Sequence, residues 1–294
     1  MIRAYSTMGK EFCVADIASQ NELDVLHGKV EWLWVDCCDL DDKETTIISK
    51  LLGVEAKTIN GIEDGNIRPS HEKCLDEECP NYTWISTPVV EFTGELKLHP
   101  FSVILKDRFL ITMRNGHSQR IIESAVRTIR ILRQEERTSS FVVSKILYEI
   151  INENSGTMVS IREWIDKIEE DALEKPREKS VTQSVFKLKR GLSTLNRLLF
   201  AERELLSDLS VGVIPRMKLA KGAMASVDDS MDDIDRGLEF VDSFNRSLDS
   251  VLRLQESASS LRLIHGVERS LLVFTVILII LTVGLIAVEL LAPK

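Results

Sequence analysis

The residues of this chain best suited to chemistry are carboxylates. Asp228, Asp229, Asp232, Asp233 and Asp235, followed by Glu239 and Asp242, crowd one short stretch of the C-terminal third. On a helix, spacings of four stack Asp228 on Asp232 and Asp229 on Asp233, where like charges repel by a few tenths of a kcal/mol per pair. A divalent cation would relieve that repulsion. Carboxylate oxygens are the ligands hard cations prefer, and Mg2+ keeps several of its waters, so a loose row is chemically sufficient. A merely solvated acidic face is the alternative, and the spacing leaves both open. Glu169, Glu170, Asp171 and Glu174 form a second acidic group, at the end of a predicted helix, where the macrodipole favours cations; solvated surface is its simpler reading. Glu63 and Asp64 add an acidic pair near the N-terminal domain's middle.

Other chemistries find no residues to carry them. Cys13, Cys37, Cys38, Cys74 and Cys79 make an odd count whose spacing fits neither a zinc ribbon nor a redox pair, so reduced thiols are expected. His71 with Cys74 and Cys79 leaves a zinc site one ligand short. The histidines His27, His71, His99, His117 and His265 show no metal-ligand spacing. No nucleophile constellation, Gly-rich phosphate loop or paired catalytic carboxylates stand out, and the chain is read as no enzyme. A net charge of −9 disfavours nucleic acid and suits cations.

The acidic row needs a long helix to display it. Beyond Pro215, apolar residues recur in steps of three and four at Met217, Ala220, Met224, Val227, Met231, Ile234, Leu238 and Val241, continuing through Phe244, Leu248, Val251 and Leu254 to Leu261. No proline interrupts the path to Leu291, so one helix of about 110 Å is predicted, with Gly266 beside His265 the place where a bend would fall. Its far end, Ser270 to Val288, carries no charged residue and covers roughly 28 Å, the thickness of a bilayer core. Arg253, Arg262 and Arg269 precede this span and only Lys294 follows it, which predicts a single pass of the cell membrane with the N-terminal bulk cytoplasmic. Glu289, at the outer edge, either reaches the interface or faces an oligomer axis, where a ring of carboxylates would attract cations.

The remaining elements follow from local pattern. The first part reads as mixed α/β. Trp32 to Asp36 suits a buried strand, an acidic stretch then opens a helix ending near Gly53, and Thr83–Phe92 and Leu96–Leu105 are β-rich runs joined by the hairpin Thr93-Gly94-Glu95, with Arg108–Arg114 a further strand. After Gly116 helices take over. One carries Ile146, Leu147, Ile150 and Ile151, a second ends at Glu174 before Pro176, and the next has a packed seam at Val181, Val185, Leu188, Leu192, Leu195 and Leu199. The expected fold class is α+β and α-rich. It comprises an N-terminal α/β cytoplasmic domain over 1–135, a helical stalk over 136–269 built on an acidic helical pair and one very long helix, and a transmembrane helix over 270–291.

This order of parts resembles the CorA-type magnesium/cobalt transporters. Local sequence agrees at Trp34 to Asp36, Leu51 to Val54, Arg68-Pro69, Phe109-Leu110-Ile111-Thr112, Leu147-Tyr148-Glu149-Ile150, Glu174-Lys175-Pro176, Leu188-Lys189-Arg190 and Arg203-Glu204-Leu205-Leu206, so the likeness spans Trp32 to Val288. The resemblance implies transport of Mg2+ or Co2+ by a homo-pentamer, with the ion as cargo or regulator and no organic cofactor. It also implies that Asp229 occupies the helix position that pairs with an acidic residue of the neighbouring subunit's α/β domain. The family's acidic pair falls without gaps on Asn60-Gly61, and Glu63 and Asp64 lie three residues later. Three departures point to an alternative, a non-conducting membrane-anchored regulatory or scaffold relative. Val288-Glu289-Leu290 stands where the family signature Gly-Met-Asn belongs, no second membrane helix follows before Lys294, and Ile264 takes the place of a pore-entrance Asn.

Overall fold

The computed structural model describes the chain except residues 9–10, 31, 64–68, 74–81, 107–108, 134–135, 175–178, 215–216, 218, 220 and 292–294, and describes the backbone alone at 8, 62–63, 71–73, 221, 258–259, 261–266 and 285–291. Cys74 and Cys79, and the side chain of His71, therefore lie outside the described residues.

The N-terminal part is built on a seven-stranded sheet. Its strands are β1 (Ile2–Met8), β2 (Glu11–Ile17), β3 (Leu33–Cys38), β4 (Ser70–Lys73), β5 (Thr83–Ser86), β8 (Phe101–Lys106) and β9 (Phe109–Arg114), in the order β2-β1-β3-β9-β8-β5-β4. Only β3 and β9 pair in parallel; the other neighbours are antiparallel. The interior strand β3 is buried on both faces, which is why it reads as a continuous apolar run. Alternation sends Leu33, Val35 and Cys37 to one core with Leu23, Ile48, Leu52 and Ile59 of the helices α1 (Gln20–Lys29), α2 (Asp42–Leu52) and α3 (Ala56–Glu63). Trp34 points the other way, into the core shared with α4 (Gln119–Ile131) and the long helices.

A polar pair is locked inside this sheet. Arg114 donates from Nε to Asp36 Oδ1 at 3.1 Å and from Nη2 to Asp36 Oδ2 at 2.8 Å, and the two side chains are 0% and 2% exposed. Thr112 donates to the same Asp36 Oδ1 at 2.7 Å and accepts from Trp34 Nε1 at 3.0 Å. The bidentate geometry and the added hydroxyl satisfy charges that burial alone would penalise by several kcal/mol.

Three expectations needed refinement. The hairpin β1–β2 extends the sheet beyond the strand expected at Trp32; in its edge strand β2 only Ile17 is buried, and the consecutive apolar residues Phe12 to Ala15 show no period-two alternation. Each β-rich run splits in two at a proline, which has no N–H to give a ladder. Pro88 separates β5 from β6 (Val89–Phe92), and Pro100 separates β7 (Leu96–His99) from β8. The strands β6 and β7 form their own antiparallel ribbon around Gly94, as the hairpin reading required. Gly94 has φ +91°, and a Cβ there would lie 3.1 Å from Trp164 Cη2, so glycine serves both the turn and the close approach. Finally, the two helices expected between Phe141 and Glu174 are one, α5 (Ser139–Glu174).

The other long helices are α6 (Lys179–Val211) and α7 (Lys221–Leu291). Gly53 at φ 71° closes α2 and Gly212 at φ 78° follows α6, both in the left-handed conformation that suits a helix end. α7 is a single helix of 71 residues, about 105 Å long.

Candidate functional site

The acidic row is displayed by a helix that is itself clamped. Among the described residues the buried positions on α7 are Ala223, Val227, Ser230, Ile234, Gly237, Val241, Phe244, Leu248, Val251 and Gln255, in alternating steps of four and three. This row faces α5 and α6. Met231 and Leu238, expected in the seam, flank it as partly buried residues. At Gly237 two helices approach at once: a Cβ there would meet Leu199 Cδ1 at 3.3 Å and Met158 Cε at 3.4 Å. On α6 the expected seam from Val181 to Leu199 is buried throughout.

One further seam step along α6 is not apolar. Glu202 is 1% exposed, and its Oε1 accepts from Asn154 Nδ2 of α5 at 2.8 Å and from Thr87 Oγ1 at 3.3 Å. Asn154 is 0% exposed, accepts from Val90 N at 2.7 Å and donates to Pro88 O at 3.3 Å, so one amide ties α5, α6 and the ribbon together. Burial pushes the Glu202 carboxyl up to about 8, against the opposing pull of the Asn154 and Thr87 hydrogen bonds. The acid therefore stays protonated at neutral pH. Asn154 sits inside the unbroken α5 with its amide bonded to groups outside the helix.

Asp228, Asp229 and Asp232 are exposed on the solvent side of α7, where the helix has turned its apolar row inward. The row divides in two. Asp235 Oδ1 accepts from Arg203 Nε at 2.7 Å, and Asp233 pairs with Arg236 one turn on, whereas Asp228, Asp229 and Asp232 have no ion-pair partner among the described residues. Nor are these three carboxylates drawn into one cluster within the chain; among the described residues the three-group set with ligand spacing is Glu91, His99 and His117, on the ribbon side of the molecule. Glu63 ends α3, with its side chain outside the described residues, and Asp64 lies outside them altogether. Glu289 lies on α7, its side chain likewise not described. Of the second acidic group, Glu170 and Glu174 are exposed and Glu169 and Asp171 are intermediate, on the last turns of α5.

At its other end α7 leaves the bundle. Val267–Gly284 has a mean hydropathy of 2.1 and none of it is buried inside the chain. Leu272, Phe274, Leu278 and Ile280 are each more than 60% exposed. A core helix of a soluble domain would cover such a surface, and a contiguous apolar cylinder of this length matches the hydrocarbon layer of a bilayer.

A sheet with helices on both faces, a three-helix bundle and a rod ending in an apolar span form a distinctive combination, and sequence comparison identifies its kin. The model of the CorA-like Mg2+ transporter proteins matches residues 29–287. The chain belongs to this family. CorA-like proteins form a family of transporters, not of enzymes. No curated protein matches the chain by sequence. Among solved structures, the CorA magnesium transporter of Methanocaldococcus jannaschii superposes with a TM-score of 0.68 at 19% identity, covering 90% of this chain and 78% of that one. The soluble domain of the same transporter gives 0.66 at 19% identity, covering 87% and 97%. The ZntB cytoplasmic domain of Vibrio parahaemolyticus gives 0.62 at 11% identity, covering 88% and 97%. At these identities the likeness is one of fold, and the CorA-like fold expected from the order of parts is the one observed.

Sequence reasoning missed the polar pair Asn154–Glu202 and the grouping of Glu91 with two histidines. The first left a signal, a charged residue at a seam position three residues beyond Leu199. The second left none, because the grouping exists only once strand register is set.

Proposed function

We propose that this chain is the subunit of a divalent metal cation transporter for Mg2+ or Co2+, a homo-pentamer whose α7 helices cross the cell membrane once with the N-terminal bulk in the cytoplasm. The observation that carries this reading is α7 itself. One uninterrupted helix joins an exposed acidic row to an exposed apolar segment long enough to span lipid. A rigid rod of this kind can couple cation binding at one end to the geometry of the membrane at the other. Exposed aromatic side chains Phe186, Phe200 and Phe240 on α6 and α7 support packing between copies, since isolated chains would leave them in water.

In this reading the parts divide at the expected positions: an α/β domain over 1–135, a helical stalk over 136–269 and a membrane helix over 270–291. Asp228, Asp229 and Asp232 sense cytoplasmic cation, and Glu63 and Asp64 of a neighbouring copy complete the ligand set. The three aspartates face solvent and have no ion-pair partner among the described residues, which supports ligands arriving from outside the chain. Hard carboxylate oxygens at a hydrated site give the weak binding a sensor of abundant Mg2+ needs. Glu289 marks the outer edge of the path.

The alternative is a non-conducting regulatory relative with the same cytoplasmic part, favoured by Val288-Glu289-Leu290 at the place of the family signature. Ion uptake by proteoliposomes holding only this chain separates the two. Mg2+ or Co2+ entering faster than into protein-free vesicles supports the transporter, and uptake equal to that control rejects it.

A further inference from the structure

Away from α7, three metal-ligating side chains meet beside the β6–β7 ribbon. The ribbon's register pairs Val89 with His99 and Glu91 with Lys97, which makes Glu91 and His99 diagonal neighbours on one face. Their side chains touch, His99 Nε2 lying 2.9 Å from Glu91 Oε2. The short 3-10 turn Gly116–Ser118 after β9 delivers His117, whose ring stacks on His99 with centroids 4.0 Å apart. One ligand atom from each of the three residues lies within 4.8 Å of the others. Glu91 and His117 also line an open cleft of about 550 Å³, together with Arg120, Asn152 and Glu153.

We propose that Glu91, His99 and His117 bind a divalent transition-metal ion of the Zn2+ class on the face of the α/β domain. Two imidazoles and a carboxylate are a ligand set for Zn2+, with the cleft leaving the fourth position to water. Mg2+, which demands oxygen ligands and sheds water reluctantly, is excluded by the same set. The site is thus chemically distinct from the carboxylate row on α7, and it does not depend on whether the chain conducts.

The surrounding hydrogen bonds set what binding must rearrange. Asn115 Nδ2 lies 3.0 Å from His99 Nδ1, while Asn115 Oδ1 accepts from the His117 backbone N–H at 3.2 Å. With Asn115 Nδ2 donating to Nδ1, a neutral His99 ring carries its proton on Nε2, facing Glu91. With a metal at Nε2 the ring would carry its proton on Nδ1, and Asn115 would accept a hydrogen bond from it by turning its amide oxygen toward the ring. That turn releases the His117 backbone. The exposed His117 ring can then close the gap, since tetrahedral ligands around Zn2+ sit roughly 3.3 Å apart, at metal distances of about 2.0–2.1 Å.

The test titrates the full-length chain in detergent with Zn2+ against a chromophoric chelator, and with Co2+ as a spectroscopic stand-in. The wild type should bind Zn2+ in the presence of excess Mg2+ and give Co2+ visible bands of tetrahedral intensity. His117→Gln and His99→Gln should each weaken Zn2+ by at least about tenfold and abolish those bands. His117 is exposed, so its variant is expected to fold, and a metal-free melting curve matching the wild type checks this. The combined Asp228→Asn, Asp229→Asn and Asp232→Asn variant should keep its Zn2+ affinity. Unchanged affinity in both histidine variants, displacement by Mg2+, or loss in the aspartate variant would overturn the proposal.

Discussion

Asn154 donates a hydrogen bond of 2.8 Å to Glu202 across the α5–α6 contact, with both side chains excluded from water. Each occupies a buried seam position on a helix face that is mostly apolar. Polar residues in such places fix which layer of one helix faces which layer of the next, because any shifted register leaves them unsatisfied. Here the amide also holds Val90 N and Pro88 O, so the register of the bundle and the seat of the ribbon are set together.

The Glu202 carboxyl makes stability depend on pH in a defined direction. In the folded chain it holds its proton up to about 8, whereas in the unfolded chain it titrates near 4.5. Between those values the folded state binds more protons, so stability falls as pH rises through the interval and levels off above it. Glu202→Gln removes this dependence. Melting the detergent-solubilised chain at both ends of the interval should show the variant gaining on the wild type at the alkaline end, by an amount on the order of a few kcal/mol. Parallel pH profiles for the two proteins would contradict it.

Gly237 and Gly222 both lie on α7 but should respond oppositely to substitution. A side chain at Gly237 runs into Leu199 and Met158, so Gly237→Leu is expected to destabilise by about 1–3 kcal/mol through overpacking. Nothing lies within 4 Å of a Cβ at Gly222, and Gly222→Ala should stabilise by up to about 1 kcal/mol. Denaturant midpoints of the two variants check the pair, and a stable Gly237→Leu protein would mean that α5, α6 and α7 are not in close contact there.

Mg2+ should raise the melting temperature of the chain at millimolar concentration, because a ligand held only by the folded state stabilises it by mass action. Asp229→Ala should shrink that shift. An equal shift in the variant, or none in the wild type, would return the acidic row to an ordinary solvated face.

Much of this architecture was legible because it follows from side-chain period. The α6 residues from Val181 to Leu199 were identifiable as a seam and are buried, and the helix end at Gly53 follows from a glycine in the left-handed conformation. The innermost row of α7 was less legible. Hydrophobic patterning favours Met231 and Leu238, whereas the buried row passes through Ser230 and Gly237, and at Gly237 a Cβ would crowd Leu199 and Met158. The β1–β2 hairpin escaped because the apolar residues Phe12 to Ala15 run consecutively on an edge strand that buries only Ile17, without the alternation that marks a half-buried strand. His99 and His117 gave no warning in sequence, since the ribbon and the turn after β9 bring them together only in three dimensions.

Every role assigned to α7 requires that Val267–Gly284 lie in lipid as the continuation of the stalk. The direct measurement is the depth of nitroxide labels placed at Ile277 and at Asp242 in the reconstituted chain, read from collisions with oxygen and with a polar nickel complex. The account predicts that the Ile277 label is reached by oxygen and shielded from nickel, while the Asp242 label shows the reverse. A label at Ile277 as accessible to nickel as that at Asp242 would place the helix in water and contradict the account.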